Sequence, residues 1–432
     1  MSTSMTLHQP ASGDGSWMMR NVGNHLRILN AQHTSYLSHK SHNQVNSNDN
    51  GNRFTASYDW VGRQKPTIFA PGGARIWLYE DDETAKPRPL KEDFGFVFRD
   101  MNNSKAARYP WEPLFRAMDA TGSPFVFDLV HVVVDNGVLQ KLFRHCSQKV
   151  TGDFRMELYR IGKTLIMEEH EEHEFDHISR KHQPSFNHPF KADYTKPLPG
   201  LESSIGHYRA VRYELGNVSC VVRSHIDAEF RSAPIRPTRP SAHAVSTSDA
   251  IRTENNERPL EYPLNWNFQE AMPSKVDRRL HRSTEVVRRG PGPSRSGRPA
   301  KLLAVPTAEL DATYPVATCM PELWLGRIPC LIVGGHDASG RIVRTRPYAA
   351  VEDYRDWEEV AENQLALRKL SVLLSEIREV MTVGGKKRCV AVYAQNRHLA
   401  MYEWSPSRFA SGRREALPAD LVRRFWSKEA YE

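Results

Sequence analysis

The sequence predicts an α+β fold (α/β in the broad sense), a mixed and mostly antiparallel sheet flanked by helices. Two hairpins carry the prediction. FRMELYR (154–160), Ile161-Gly162 and KTLIMEE (163–169) form the first, and HYRAVRYEL (207–215), Gly216-Asn217 and VSCVVRSHID (218–227) the second. A third observation adds the helices: Trp357, Val360, Leu367, Leu370, Leu374, Ile377 and Met381 keep helical spacing from about Asp353 until Gly384-Gly385.

Along the chain, residues 1–53 cluster Asn, Ser and His (SHNQVNSNDNGN, 41–52) with few apolar side chains, and are expected to be a disordered arm. Apolar runs begin at Phe54, with a Pro/Gly-rich entry (PTIFAPGGARIWLY, 66–79) and WEPLFRAMD (111–119), where Leu114, Phe115 and Met118 take helix spacing. FVFDLVHVVV (125–134) is a nearly continuous β-branched run suited to a strand covered on both faces. DNGVLQKLFRH (135–145) reads as a short helix capped at Asp135 or Asn136. Residues 231–300 then hold nine Pro and 13 Lys/Arg against seven Asp/Glu, which predicts a flexible basic insertion at 231–299. The β texture resumes at KLLAVPT (301–307) and continues through a predicted hairpin of LWLGRIPCLIVGGHD (323–337) and RIVRTRPYAAV (341–351). After the long helix come strands RCVAVYA (388–394) and HLAMYEWS (398–405), then a basic tail at 406–432. One domain assembled from 54–230 and 300–405 is expected.

Composition excludes several classes. No run approaches the roughly 18 apolar residues of a membrane span, and Met1 to Arg20 lacks a signal-peptide pattern, so no membrane partner and an intracellular place, nucleus or cytoplasm, are expected. Cys146, Cys220, Cys319, Cys330 and Cys389 are odd in number and widely spaced, which fits neither a disulfide framework nor a zinc motif. Gly334-Gly335 lies outside any phosphate-loop context, so no nucleotide cofactor is expected, and no GxSxG nucleophile elbow occurs. The net charge of +8 favours a polyanionic partner.

Three groups of residues carry candidate chemistry. In EEHEEHEFDHISRKH (168–182), His170, His173, Glu174 and His177 would share one face of a helix at metal-ligand spacing, but a solvated strand end and loop fits the order better. Arg278, Arg279, Arg282, Arg288 and Arg289 could contact RNA phosphates. Glu157, Asp227, Glu309 and Asp311 are the acidic residues that adjacent strands would need to hold a divalent cation, Mg²⁺ or Mn²⁺, near a scissile phosphate.

The order of these units resembles the decapping exoribonuclease family of DXO-like RNA 5′-end hydrolases, in a divergent fungal-type branch. Segments 127–142, 154–169, 207–228 and 323–342, with the helix after them, carry the resemblance over about 58–230 and 300–405. It implies a PD-(D/E)xK nuclease sheet and RNA 5′ ends as partners. The family's E-x-D motif falls on His225-Ile226-Asp227, so one carboxylate of two is kept. Its G-x-x-F-E motif falls on Asn187 to Lys191, and its E-x-K strand on Ala304-Val305-Pro306, so that Lys191, Ala304 and Pro306 stand at degenerate positions. Three readings follow. The first is a protein with a lost metal site, no cofactor, and RNA 5′ ends or a protein as partner. The second is an active divalent-metal hydrolase using Asp227 and Glu157 with Glu309 or Asp311, and the third is an interaction scaffold with no RNA role.

Overall fold

The computed structural model describes residues 17–29, 44–47, 52–63, 65–78, 89–93, 95–150, 152–173, 175–178, 185–230, 283–289, 297–310, 314–394, 398–405 and 415–431. The strands of the first half are β1 (Val22–Ile28), β2 (Arg53–Val61), β3 (Thr67–Phe69), β4 (Ile76–Trp77), β5 (Gly95–Phe98), β6 (Val132–Asp135), β7 (Phe154–Ile161), β8 (Thr164–His170) and β9 (Phe175–Ile178). Then come β10 (Thr195–Lys196), β11 (Ser204–Leu215), β12 (Val218–Ile226), β13 (Ala228–Phe230), β14 (Glu285–Val287), β15 (Arg298–Pro306), β16 (Cys330–His336), β17 (Ile342–Tyr348), β18 (Arg388–Tyr393) and β19 (Leu399–Trp404). The helices are α1 (Met101–Lys105), α2 (Glu112–Ala120), α3 (Asn136–Cys146), α4 (Asn187–Asp193), α5 (Tyr314–Gly326), α6 (Tyr354–Glu359), α7 (Ala361–Val383), α8 (Ala419–Phe425) and α9 (Lys428–Tyr431).

Eleven strands join in the order β1-β19-β18-β7-β8-β6-β12-β11-β2-β3-β14, and six more in the order β10-β4-β13-β15-β16-β17. Most pairs are antiparallel, but β6 runs parallel to both neighbours, β8 and β12. That central strand is covered on both faces, because alternate side chains enter different cores: Val132 and Val134 one, Val133 the other. The first core is closed by α3, α5 and α7, the second by α2 and α8. Both predicted hairpins form, β7–β8 and β11–β12, with Gly162 and Gly216 at positive φ in their turns.

The structure corrects several expectations. The long helix is two, α6 and α7, because Val360 turns to an extended backbone at φ −58 and ψ 125. Its apolar stripe is buried along α7, with Leu367, Leu370, Leu374 and Ile377 fully enclosed, whereas Val360 at the break is exposed. The strand expected at 125–134 is four residues long, and Phe127 to Val130 forms a turn before it. Leu323 to Gly326 is the end of α5, not a strand. That helix stops where Arg327 adopts φ 50 and Ile328 N–H donates to the Leu323 carbonyl. A short apolar run carries no period that separates the two states.

The arm expected at 1–53 contains β1, which pairs with β19, and a turn at Trp17 to Arg20 beneath Arg155. The tail expected to be merely basic carries α8, whose Phe425 and the following Trp426 pack on Phe115 and Phe127. Within the insertion, β14 pairs in parallel with β3 and extends the large sheet. The His-rich stretch divides between β8 and β9, so no helix gathers His170, His173 and His177; Glu174 lies outside the described residues. Among the described residues, no helix is long and apolar enough to cross a membrane.

Candidate functional site

The second sheet brings together a buried ion cluster around Asp227. It begins with α4, whose start is held by Asp93: this carboxylate accepts from the Ser185 hydroxyl at 2.6 Å and from the N–H groups of Asn187 and His188 at 3.0 and 3.1 Å. Phe190 then anchors the helix in an apolar pocket, where its ring lies so close to Gly334 that a Cβ there would come within 2.6 Å. Gly334 thus sets how near α4 lies to β16. Lys191, the next residue, is delivered to the end of β12.

At that end the chain passes from one sheet to the other, with Asp227 N–H donating to the Ala300 carbonyl at 3.2 Å. The Asp227 side chain has no exposed surface. Its Oδ1 meets Lys191 Nζ at 2.9 Å and His225 Nδ1 at 3.4 Å, while Oδ2 accepts from Leu302 N–H at 3.0 Å and faces Lys301 Nζ at 3.7 Å. Lys301 is shared with Glu322 of α5, at 2.9 Å.

Burial by itself pushes the Asp227 carboxyl up, yet the ammonium groups of Lys191 and Lys301 and the His225 ring together hold it well below the usual carboxylate range. His225 moves the other way, since desolvation and the two lysines outweigh its attraction to Asp227 and lower its pKa. Desolvation alone would lower the Lys301 pKa, but Asp227 and Glu322 raise it above its ordinary value. The Asp227 carboxylate thus sits between the side chains of Lys191 and Lys301.

The other predicted site residues lie elsewhere. Ala304 N–H donates to Asn187 Oδ1 at 2.8 Å, so the backbone of Ala304 holds α4 and its methyl group joins the apolar pocket. Pro306 is the exposed last residue of β15. The residue of β15 that meets Asp227 is Lys301, three positions before the expected register. Its signal in the sequence was a lysine heading an otherwise apolar strand, KLLAV.

Glu157 does not join this centre. It lies on β7, separated from β12 by β8 and β6, or about 14 Å at ordinary strand spacing. There it is ion-paired to Arg155 at 2.5 Å and to Arg388 at 3.1 Å. Glu309 is exposed beyond the end of β15, and Asp311 lies outside the described residues. Arg278, Arg279 and Arg282 also lie outside them, whereas Arg288 and Arg289 are exposed just after β14, with Arg289 over the Phe69 ring. No group of three or more His, Cys, Asp or Glu among the described residues is placed to hold a metal ion.

No curated protein matches the sequence. A family model described as a domain of unknown function, DUF8563, matches residues 32–259 and 276–426, nearly the whole chain. The chain belongs to the DUF8563 family. Solved structures place this DUF8563 chain in a known fold. Candida albicans Rai1, solved with pU5 and Mn²⁺, is similar with a TM-score of 0.53 at 10% identity, over 92% of this chain and 98% of that one. Scheffersomyces stipitis Rai1, solved with (3′-NADP)⁺ and a calcium ion, reaches 0.51 at 9% identity, over 93% and 94%. The DUF8563 chain therefore has the Rai1 fold, and the resemblance to the decapping exoribonuclease fold seen in its hairpins is borne out.

Proposed function

We propose that this chain is a decapping-nuclease-fold protein that binds RNA 5′ ends without hydrolysing them, its metal centre replaced by an internal ion cluster. One observation carries the reading: Asp227 is buried between the ammonium groups of Lys191 and Lys301. A divalent cation needs about six oxygen donors. Here both oxygens of the one central carboxylate already face cations or an N–H group, the side chains that contact it are two lysines and an imidazole, and the neighbouring Glu322 is paired with Lys301. An incoming ion would have to displace or approach two positive charges, so the donor set does not fit Mg²⁺ or Mn²⁺.

The Rai1 structures were solved with an oligouridylate or with dinucleotide ligands, and the net charge of +8 is compatible with a similar polyanion here. Arg288 and Arg289, exposed at the edge of the large sheet, are available to phosphates.

The test is incubation of the purified chain with capped, 5′-triphosphate and 5′-monophosphate RNAs, with and without Mg²⁺ or Mn²⁺, beside an Asp227→Ala variant. The expected result is no metal-dependent release of 5′-end groups from either protein, together with RNA binding that weakens as salt rises. Metal-dependent turnover that disappears in Asp227→Ala would overturn the reading.

A further inference from the structure

A second polar centre stands on the face of the large sheet that packs against α5 and α7. In that face the rows across β11 and β12 begin apolar, with Val211 opposite Val222 in the shared core. The next row is polar across three strands: Arg209 lies between Ser224 of β12 and Ser57 of β2. Directly opposed residues of antiparallel strands share a face at about 4.5–5.5 Å, so both serines flank the arginine.

Among the described residues no carboxylate is ion-paired with Arg209. Its guanidinium makes one long hydrogen bond, from Nη1 to the Arg327 carbonyl at 3.4 Å, just beyond the end of α5. Arg209 is half-buried, and desolvation lowers its pKa, opposed by the nearby Tyr354. Ser224 is 5% exposed and its hydroxyl has no hydrogen-bond partner. The Ser57 hydroxyl, in contrast, is bonded to the Gly72 carbonyl at 3.2 Å. Asp59, in the next row, is engaged at Oδ1 by His207 at 2.5 Å and by the Gly73 N–H at 3.1 Å, and its Oδ2 has no hydrogen-bond partner.

A half-buried guanidinium without a counter-ion and a buried hydroxyl without a partner are both costly when left unsatisfied. An oxyanion satisfies both together. The planar fork of arginine grips two oxygens, and the serine hydroxyl donates to a third, which matches the three terminal oxygens of a phosphate group. We propose that Arg209 and Ser224 form a phosphate-binding site, separate from the Asp227 cluster. The phosphate could be the terminal group of an RNA or free inorganic phosphate.

The test begins with thermal unfolding in inorganic phosphate against chloride at matched ionic strength. A ligand that binds only the folded state raises the melting temperature by mass action. The parent is expected to be stabilised by phosphate, and Arg209→Gln and Ser224→Ala to lose that response. Ser224→Ala removes only the unbonded hydroxyl, so it serves should Arg209→Gln unfold. Binding of a 5′-phosphorylated oligoribonucleotide is then compared with that of its 5′-hydroxyl twin. A preference of roughly tenfold or more, the scale of a hydrogen bond to a charged group, assigns the site to RNA ends. Phosphate stabilisation without that preference also supports the site and assigns it to free phosphate. Two outcomes overturn the proposal: no response to phosphate in the parent, or an undiminished response in both variants. RNA binding that persists without a phosphate response removes this site and leaves the RNA-end reading standing.

Discussion

Two carboxylates in this molecule are buried between two cations each, and they are held differently. Glu157 lies between the guanidiniums of Arg155 and Arg388. Burial would raise its pKa, but the arginines hold it below the ordinary value. Neither arginine is free to leave: Arg155 also donates to the carbonyls of Trp17, Met18 and Arg20, and Arg388 lies over the rings of Tyr159 and Trp404. Asp227, by contrast, is served by lysines on flexible stems, and the Lys191 side chain is 30% exposed. The first cluster ties β7, β18 and the N-terminal turn together, whereas the second neutralises a buried charge where the chain passes from one sheet to the other. An acidic residue in a strand reads the same in both places from sequence; the type of its cationic neighbours tells them apart.

The largest expected effect is on the first cluster. Glu157→Ala leaves two desolvated arginines uncompensated and should cost about 3–5 kcal/mol, read from urea unfolding. A loss under 1 kcal/mol would make the two clusters equivalent and end the contrast.

Acid should be next, through two histidines, His170 opposite Arg155 of the first cluster and His145 against Phe154 and Tyr393. Burial and the Arg155 charge lower His170 from 6.5 to about 4, and burial likewise lowers His145 to about 4. Between those values the unfolded chain binds more protons than the folded one, so stability falls as pH falls from about 6.5 to 4. Each histidine contributes up to about 3 kcal/mol to that loss, so neither singly exceeds the cost of Glu157→Ala. Asp227, depressed instead of raised, adds its own loss only below the ordinary carboxylate range. A flat melting temperature from pH 7 to 4.5 would contradict the lowered pKa of both rings.

Asp227→Asn is expected to cost less, about 1–3 kcal/mol, because Lys191 can turn to water and Lys301 keeps Glu322. A cost matching that of Glu157→Ala would show the lysine cluster to be as rigid as the arginine one. The smallest effect belongs to Arg288→Gln with Arg289→Gln, exposed positions that should leave stability within about 0.5 kcal/mol. Their removal should flatten the salt dependence of RNA affinity by up to two phosphate contacts, measured by anisotropy titration at several salt concentrations. An unchanged slope would remove them from the RNA surface.

What the sequence reveals of this architecture depends on how local the deciding forces are. The β7–β8 and β11–β12 hairpins are legible because alternation and a glycine turn sit within about 20 residues. The buried stripe of α7 is legible for the same reason. Strand β1 is not, because its side chains are mostly half-exposed and its partner lies at the far end of the chain. Lys301 escaped because an apolar strand can be slid by three residues without changing its texture, and its register is fixed only by its ladders with β13 and β16, which are distant in sequence. The Arg209 row was also hidden, since HYRAVRYEL shows its arginine as one more polar position in an alternating strand.

The pairing of β1 with β19 has a consequence for how the protein is made. Asn24 on β1 bonds Glu403 on β19, a residue 379 positions later. At the roughly 5–20 residues per second of protein synthesis, that partner is made on the order of half a minute after β1 leaves the ribosome. Throughout that time β1 has no strand to pair with, and the Arg155 clamp on the preceding turn has nothing beside it to align. The sheet edge can close only after β19 has been made, so a nascent chain stalled before residue 399 would carry this strand unpaired and open to chaperones.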